Sequence, residues 1–404
     1  MMRTQSMLLK RTNILVVCFG NAIENPGPAR FATELAEALH PEFRIDYFGT
    51  YLNKKPEGLQ VWGQYIKTDT IISPNTLIRV YKRYLNFKIL LPLMRTVRAK
   101  HIQIVNVHNL NLQIPLIMYP LLRFKKKIII TTLHDYTAIY NRKLYKNDVK
   151  NLQHKGMRTI TNHKVDSLIL NINRYLFNLS HELIYLSEMQ KEVFQQFGFI
   201  NGKVINNKIK ECQCPIDVIN VTRSQKKKVI LFIGRSIGKG LEGLISWIGS
   251  QDTFKLELVG KPELKELAAH YLDQQQFDFC GELSPQRVAK KIHESALVYA
   301  ASECLDVYPT TVLEAIVHGT PVIVSNNCGN ADLVEGIDKR LVNENLDQIT
   351  PEQLSSWLNT WRKSNNLRRV QKKVTNIEEN SFEYKQIFDH WLVHFKTKCP
   401  SNNK

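Results

Sequence analysis

Apolar and polar positions alternate along the chain at two different spacings, and the order of those spacings predicts the architecture. Asn13 to Phe19 is an almost unbroken apolar run with the length of a buried strand, and Ala29 to Leu39 places apolar residues at helical spacing. Between them Asn25-Pro26-Gly27-Pro28 reads as a strand-to-helix turn. Ile102 to Val107, Lys127 to Thr132 and Leu183 to Leu186 are further candidate strands, each closing on polar residues. This rhythm predicts a mostly parallel sheet with helices on both faces, whose ligands sit beyond the carboxyl ends of the strands. Regular periodicity fails between Val204 and Asp217, at Asn206-Asn207-Lys208 and Cys212-Gln213-Cys214-Pro215. A second series then begins, with candidate strands Val229 to Ile233, Lys255 to Val259, Phe277 to Cys280, Leu297 to Ala300 and Pro321 to Ser325. The expected fold is therefore α/β, with two doubly wound domains facing across a cleft. Residues 1–210 form the first and 211–375 the second. Residues 376–404 form a closing helix and tail, with Tyr384, Phe388, Trp391 and Phe395 along the helix.

Composition fits this picture: 404 residues, 43% hydrophobic and 23% charged, suit a soluble two-domain protein. Charge adds something that periodicity does not. The net charge is +18, and residues 1–200 hold 28 Lys+Arg against 13 Asp+Glu, so most of the excess lies in the first half. Ile71 to His134 contains no acidic residue, which implies an anionic partner. Within it, Leu77 to Lys100 mixes cations with Tyr81, Leu85, Phe87, Ile89, Leu90, Leu91 and Leu93, as an interfacial helix does, and Pro92 is expected to kink or break it. An ordinary basic surface helix is the alternative reading. The seven cysteines form no CxxC pair and are odd in number, so neither a zinc site nor a disulfide framework is indicated. The apolar run after the first basic residues is short and lacks a cleavage site, and Ile114 to Leu122 is far below the roughly 18 residues that span a bilayer. A cytoplasmic protein, peripheral at the inner membrane face, is expected.

Two segments carry candidate chemistry. In Cys304-Leu305-Asp306-Val307-Tyr308-Pro309-Thr310-Thr311-Val312-Leu313-Glu314-Ala315, two carboxylates bracket a loop that leads into a helix. The free amides and positive dipole end of such a helix can hold a phosphate near Thr310 and Thr311. Glu314 can accept hydrogen bonds from ribose hydroxyls and Asp306 can reach a sugar, although Thr311-x-x-Glu314 also reads as a capping box. In Gly234-Arg235-Ser236-Ile237-Gly238-Lys239-Gly240, two cations four residues apart follow a strand. Arg235 can grip a phosphate through two N–H bonds and Lys239 can neutralise it as a point charge; a solvated basic loop is the plainer reading. No Asp-x-Asp triplet occurs anywhere in the sequence, and no metal site and no cofactor are expected. In the first domain, His134 in Leu133-His134-Asp135 closes a predicted strand, and His108-Asn109 follows the preceding one. Either histidine can be structural or can serve a ligand as donor or acceptor. Gly27 offers backbone approach to phosphates, and Asn330 and Glu335 lie at a later turn.

The segment from Asp306 through Glu314 and Ala315 to Gly319-Thr320-Pro321-Val322 resembles the signature of family four retaining glycosyltransferases, of the exopolysaccharide and lipopolysaccharide type. Their first acid is usually Glu; Asp306 is one methylene shorter. Gly234 to Gly240 and the Leu-His-Asp segment resemble further family motifs. The resemblance implies a GT-B fold of two Rossmann-like domains and retention of anomeric configuration without a divalent metal. It also implies a nucleotide-diphosphate sugar donor held by Arg235 and Lys239, with His134 near the transferred sugar or acceptor. It further implies a lipid-linked or saccharide acceptor, and the anionic membrane surface is expected from the charge of the first half. A nucleotide-sugar epimerase of the same fold, or a basic nucleic-acid-binding protein, is the alternative. The second half is nearly neutral and no nucleic-acid module is recognisable, so no nucleic-acid partner is expected.

Overall fold

The computed structural model describes residues 12–18, 26–51, 63–67, 76–108, 115–139, 144–146, 148–149, 164–200, 202–209, 228–234, 238–343 and 345–398. The chain divides into two compact units. Unit 1 comprises residues 1–142, 148–207 and 377–404, and unit 2 comprises 143–147 and 208–376. Arg235, Asn25, Asn109 and the Cys212 to Pro215 segment lie outside the described residues.

Unit 1 contains strands β1 (Asn13–Cys18), β2 (Arg44–Tyr51), β3 (Gly63–Lys67), β4 (Ile104–His108), β5 (Ile128–Thr132), β6 (Glu182–Tyr185) and β7 (Lys203–Val204). They form one sheet in the order β3-β2-β1-β4-β5-β6-β7, paired in parallel throughout. Helices α1 (Pro26–Leu39), α2 (Thr76–Tyr84), α3 (Phe87–Ala99), α4 (Met118–Phe124), α5 (Lys164–Phe177) and α6 (Glu188–Gln196) connect them. Both faces of β1 are buried, which is why it reads as a continuous apolar run rather than an alternating one. One face packs on Ala29, Ala32, Leu35 and Ala36 of α1 and on Tyr384, Ile387, Phe388 and Leu392 of the last helix (Ile377–Lys398). The spacing of those four residues is that of a single helical stripe.

Unit 2 holds β8 (Val229–Gly234), β9 (Lys255–Gly260), β10 (Phe277–Gly281), β11 (Leu297–Ala300) and β12 (Val322–Val324), in the parallel order β10-β9-β8-β11-β12. Its helices are α7 (Leu241–Gly249), α8 (Pro262–Tyr271), α9 (Pro285–Glu294), α10 (Thr310–Val317), α11 (Ala331–Asp338), α12 (Pro351–Lys363) and α13 (Asn365–Thr375), which makes the last helix of the chain α14. Two parallel sheets with flanking helices are the α/β architecture that the periodicity predicts.

Three local expectations are corrected. Pro26-Gly27-Pro28 is not a turn before the helix but its first turn, where a proline's missing N–H has no intrahelical acceptor to lose. The basic stretch from Leu77 to Lys100 is two helices, and the break falls at Leu85 and Asn86, not at Pro92. Pro92 sits inside α3 and removes one backbone bond without ending the helix, because Ile89, Leu90, Leu93 and Val97 anchor both sides of it in the core. Those four apolar residues therefore face the protein interior and are unavailable to any partner.

Candidate functional site

Both sheets reverse their strand order at one place: between β1 and β4 in unit 1 and between β8 and β11 in unit 2. Loops leaving the carboxyl ends of such neighbouring strands diverge and leave a crevice, so this is where a doubly wound sheet binds ligands. Lys239 and Asp306 follow β8 and β11, His108 is the last residue of β4, and His134 lies two residues beyond β5.

In unit 2 glycine chemistry brings the loops together. Gly240 has φ +87°, and a Cβ on it would lie 2.0 Å from the carbonyl oxygen of Ala301, so only glycine lets the loop after β8 lie against the loop after β11. The thiol of Cys304 donates to the Gly238 carbonyl at 3.4 Å on the same seam. Lys239 is thereby delivered to Asp306, and its ammonium donates to the carboxylate Oδ2. Burial opposes the charged ammonium, but the Asp306 carboxylate outweighs it and raises the Lys239 pKa above the usual lysine value. The side chains are 37% and 19% exposed, which leaves the pair open to an incoming anion.

The Asp306 backbone is fixed on both sides, its N–H donating to Asn327 O and its carbonyl accepting from Gly329 N–H, each at 2.8 Å. Asn327 Nδ2 in turn donates to the carbonyls of Ser302 at 3.0 Å and Glu303 at 3.1 Å. Asn327 and Ser325, whose hydroxyl also donates to Ser302 O, build this loop. Motif reading missed both because they act on backbone rather than ligand. Helix α10 begins at Thr310 with Pro309 as its N-cap and no side-chain capping bond. The capping-box reading of Thr311 and Glu314 is therefore wrong: Thr311 already lies inside the helix, two positions beyond its N-cap. The Thr310 and Thr311 amides have no acceptor within the helix, and Glu314 is half-buried one turn further on.

In unit 1 the two histidines singled out from the sequence meet. His108 Nδ1 lies 3.2 Å from His134 Nε2, and Asn106 Nδ2 lies 2.8 Å from His108 Nε2. Phe31 of α1 sits edge-on to the His134 ring with centroids 5.9 Å apart, and Tyr384 of α14 stands 6.1 Å from His108. Burial lowers the His134 pKa to about 3 and pushes His108 well below its ordinary value, so both rings are neutral at physiological pH. Asp135 turns away to accept from the backbone and hydroxyl of Thr137 at 2.9 and 2.5 Å. Gly27 lies in the first turn of α1, where an added Cβ would meet nothing within 4 Å, so no described neighbour requires glycine there. Asn330, which the sequence placed at a turn, donates to Pro309 O at 3.0 Å and fixes the N-cap of α10.

Residues 217–374, which include the Lys239–Asp306 pair and α10, match the family model of Glycosyl transferases group 1. Solved structures extend the likeness to the fold of the whole chain. Sucrose-phosphate synthase from Thermosynechococcus elongatus superposes with a TM-score of 0.71 at 15% identity, covering 95% of this chain and 100% of that one. Anabaena HepE in complex with UDP and glucose gives 0.67 at 14% identity over 92% and 98%. WaaG, a glycosyltransferase involved in lipopolysaccharide biosynthesis, gives 0.59 at 15% identity over 90% and 99%. No curated protein matches the sequence. The fold of the whole chain is that of GT-B glycosyltransferases, and the family match lies within its second unit.

The protein also has a basic face. On α2 and the start of α3, Ile78, Tyr81, Leu85, Phe87 and Leu91 are between 39% and 53% exposed, and Lys88, Arg95 and Arg98 on α3 point to solvent. Arg83 does not belong to this face. It is buried and donates to Thr137 O at 3.1 Å. Among the described residues no helix is long and apolar enough to cross a membrane.

Proposed function

We propose that this enzyme moves a sugar from a nucleoside-diphosphate sugar to a lipid-linked or saccharide acceptor in cell-surface glycan synthesis. It does so with retention of configuration, without a divalent metal, at the cytoplasmic face of a membrane. The observation that carries the reading is the Lys239 ammonium held against Asp306 beside the switch point of unit 2, in the segment of the family match. As the glycosidic bond breaks, negative charge grows on the departing diphosphate, and a fixed cation stabilises that charge more than it stabilises the bound donor. The phosphate replaces Asp306 as the partner of Lys239. The freed carboxylate then faces the sugar, with Glu314 toward the ribose. Arg235 and the amides of Thr310 and Thr311 complete the phosphate site. His134 serves the transferred sugar or the acceptor. No protein nucleophile is assigned; the departing phosphate takes the acceptor's proton. The UDP and glucose in HepE and the lipopolysaccharide role of WaaG support the substrate class.

Thermal unfolding with nucleoside diphosphates tests this, because a ligand that binds only the native state raises its stability. At least one diphosphate should raise Tm with no metal added, and Arg235→Ala should abolish the shift. An equal response of wild type and variant would remove the cation site. The exposed apolar residues of α2 and α3, ringed by lysine and arginine, support docking on an anionic leaflet, each cation contributing about 1 kcal/mol. Binding to vesicles rich in anionic lipid should weaken when Lys82, Lys88 and Arg95 are neutralised. Indifference to lipid charge would remove the membrane part of the proposal.

A further inference from the structure

We infer that Asn106 and His108 act as positioning residues that set the tautomer of His134, so that His134 presents Nδ1–H, a hydrogen-bond donor, to the ligand. The three side chains form a chain of contacts, Asn106 Nδ2 to His108 Nε2 at 2.8 Å and His108 Nδ1 to His134 Nε2 at 3.2 Å. Both rings are neutral, so each carries one hydrogen, and the chain has only two self-consistent polarities. In one, the Asn106 amide donates to Nε2 of His108, His108 donates from Nδ1 to Nε2 of His134, and the hydrogen of His134 is left on Nδ1. In the other, the Asn106 oxygen accepts from Nε2–H of His108 and every hydrogen moves to the opposite nitrogen.

The surroundings of Asn106 choose between them. Its side chain is fully buried in the sheet, and Oδ1 has no partner. Reversing the amide would strand an NH2 group with two hydrogens in that place, and a buried N–H without an acceptor is a rarer and costlier defect than an under-satisfied carbonyl. The first polarity follows. Neighbours from two helices hold the rings in place without competing for their nitrogens. Phe31 is apolar and sits edge-on to His134, and the hydroxyl of Tyr384 is engaged with Thr132 Oγ1 at 2.7 Å. Among the described residues no partner is assigned to His134 Nδ1. The role toward substrate rests on the glycosyl-transfer reading: a donor at Nδ1 holds a sugar or acceptor oxygen by its lone pair and cannot take a proton from it.

The tautomer itself is measurable without any activity. In full-length protein labelled with 15N-histidine, and with His134 assigned by its loss in His134→Gln, the 15N shifts separate the N–H from the bare ring nitrogen. Nδ1–H is expected on both His108 and His134, with neither ring titrating between pH 8 and pH 5. Asn106→Asp can only accept, so it should move both hydrogens to Nε2 and lower kcat more than tenfold while KM for the donor changes little. His108→Phe keeps a ring in the core and releases His134 to Nε2–H. An Nε2–H tautomer of His134 in the wild type, or one tautomer common to wild type and both variants, would overturn the inference. Absence of any transferase activity would strike the functional reading and leave the spectroscopic result standing.

Discussion

The two candidate regions solve opposite electrostatic problems, and the chain's overall charge would have misplaced them. The first half holds 28 Lys+Arg against 13 Asp+Glu, yet its candidate site is a buried group of neutral side chains, Asn106, His108 and His134. The second half is nearly balanced at 27 Lys+Arg against 24 Asp+Glu, yet its site is built on a cation and a carboxylate. Net charge reports the surface, where long-range attraction to an anionic partner acts. Site charge reports chemistry. A leaving diphosphate needs a cation close at hand, whereas orienting a neutral sugar needs hydrogen bonds of fixed direction, and desolvated neutral imidazoles supply those without repelling a cationic transition state.

The largest effect should come from removing the cation. Lys239→Met keeps most of the side chain's length and apolar stem but no charge, and kcat should fall by about 10²–10³, the loss typical of deleting one preorganised electrostatic contact. Lys291 provides the control, since its ammonium also pairs with a carboxylate in unit 2, Glu257, away from the switch point. Lys291→Met should leave kcat within about twofold, as a partly exposed ion pair with no part in the reaction would. Equal losses in the two variants would mean that the Lys239 pair is structural, and the contrast between the regions would disappear.

The course of the chain through both sheets was legible because parallel strands buried on both faces write themselves as apolar runs, as Ile14 to Cys18 and Val298 to Ala300 do. Strands β2 and β3 escaped for the converse reason: Arg44 to Tyr51 and Gly63 to Lys67 interleave polar residues and glycines. The Lys239 and Asp306 loops were legible as motifs, but their mutual contact was not, because it depends on Gly240 lying against Ala301, 61 positions away in sequence. The pairing of His108 with His134 was equally hidden, although both had been singled out. Only the neighbouring register of β4 and β5 brings their ends together. Asn106 gave no signal at all, being one polar residue inside an apolar strand.

Acid should distinguish the regions next. Both histidines have folded pKa values below the ordinary 6.5, His134 at about 3, so below about pH 6.5 the unfolded chain takes up protons that the folded chain refuses. Their contribution is thus present at neutral pH and is lost as pH falls, at about 1.4 kcal/mol per pH unit for each histidine. Denaturant unfolding between pH 7 and pH 4.5 should show this slope, to which His181, lowered to about 4, adds, and His134→Gln should remove one histidine's share of it. The Lys239 pair behaves the other way. Its raised pKa means that its contribution is complete below the unfolded lysine value and is lost only as pH rises through the folded one. An acid slope unchanged in His134→Gln would show that the imidazoles are not held neutral.

The smallest effect separates the regions by what their polar contacts do for the fold. Tyr384 is fully buried and its hydroxyl lies 2.7 Å from Thr132 Oγ1, so Tyr384→Phe should cost about 1–2 kcal/mol by leaving a buried hydroxyl unsatisfied. Thr132→Val in the same chain removes the orphan and should recover part of that loss. Asp306→Asn removes the charge from a pair whose side chains are 37% and 19% exposed, and such a pair contributes less than about 1 kcal/mol. Its unfolding midpoint should therefore move less than that of Tyr384→Phe, while its effect on donor turnover should be the greater of the two. A variant order reversed in stability would mean that the charged pair supports the loop rather than the reaction, since a contact kept for chemistry owes little of its geometry to its own strength.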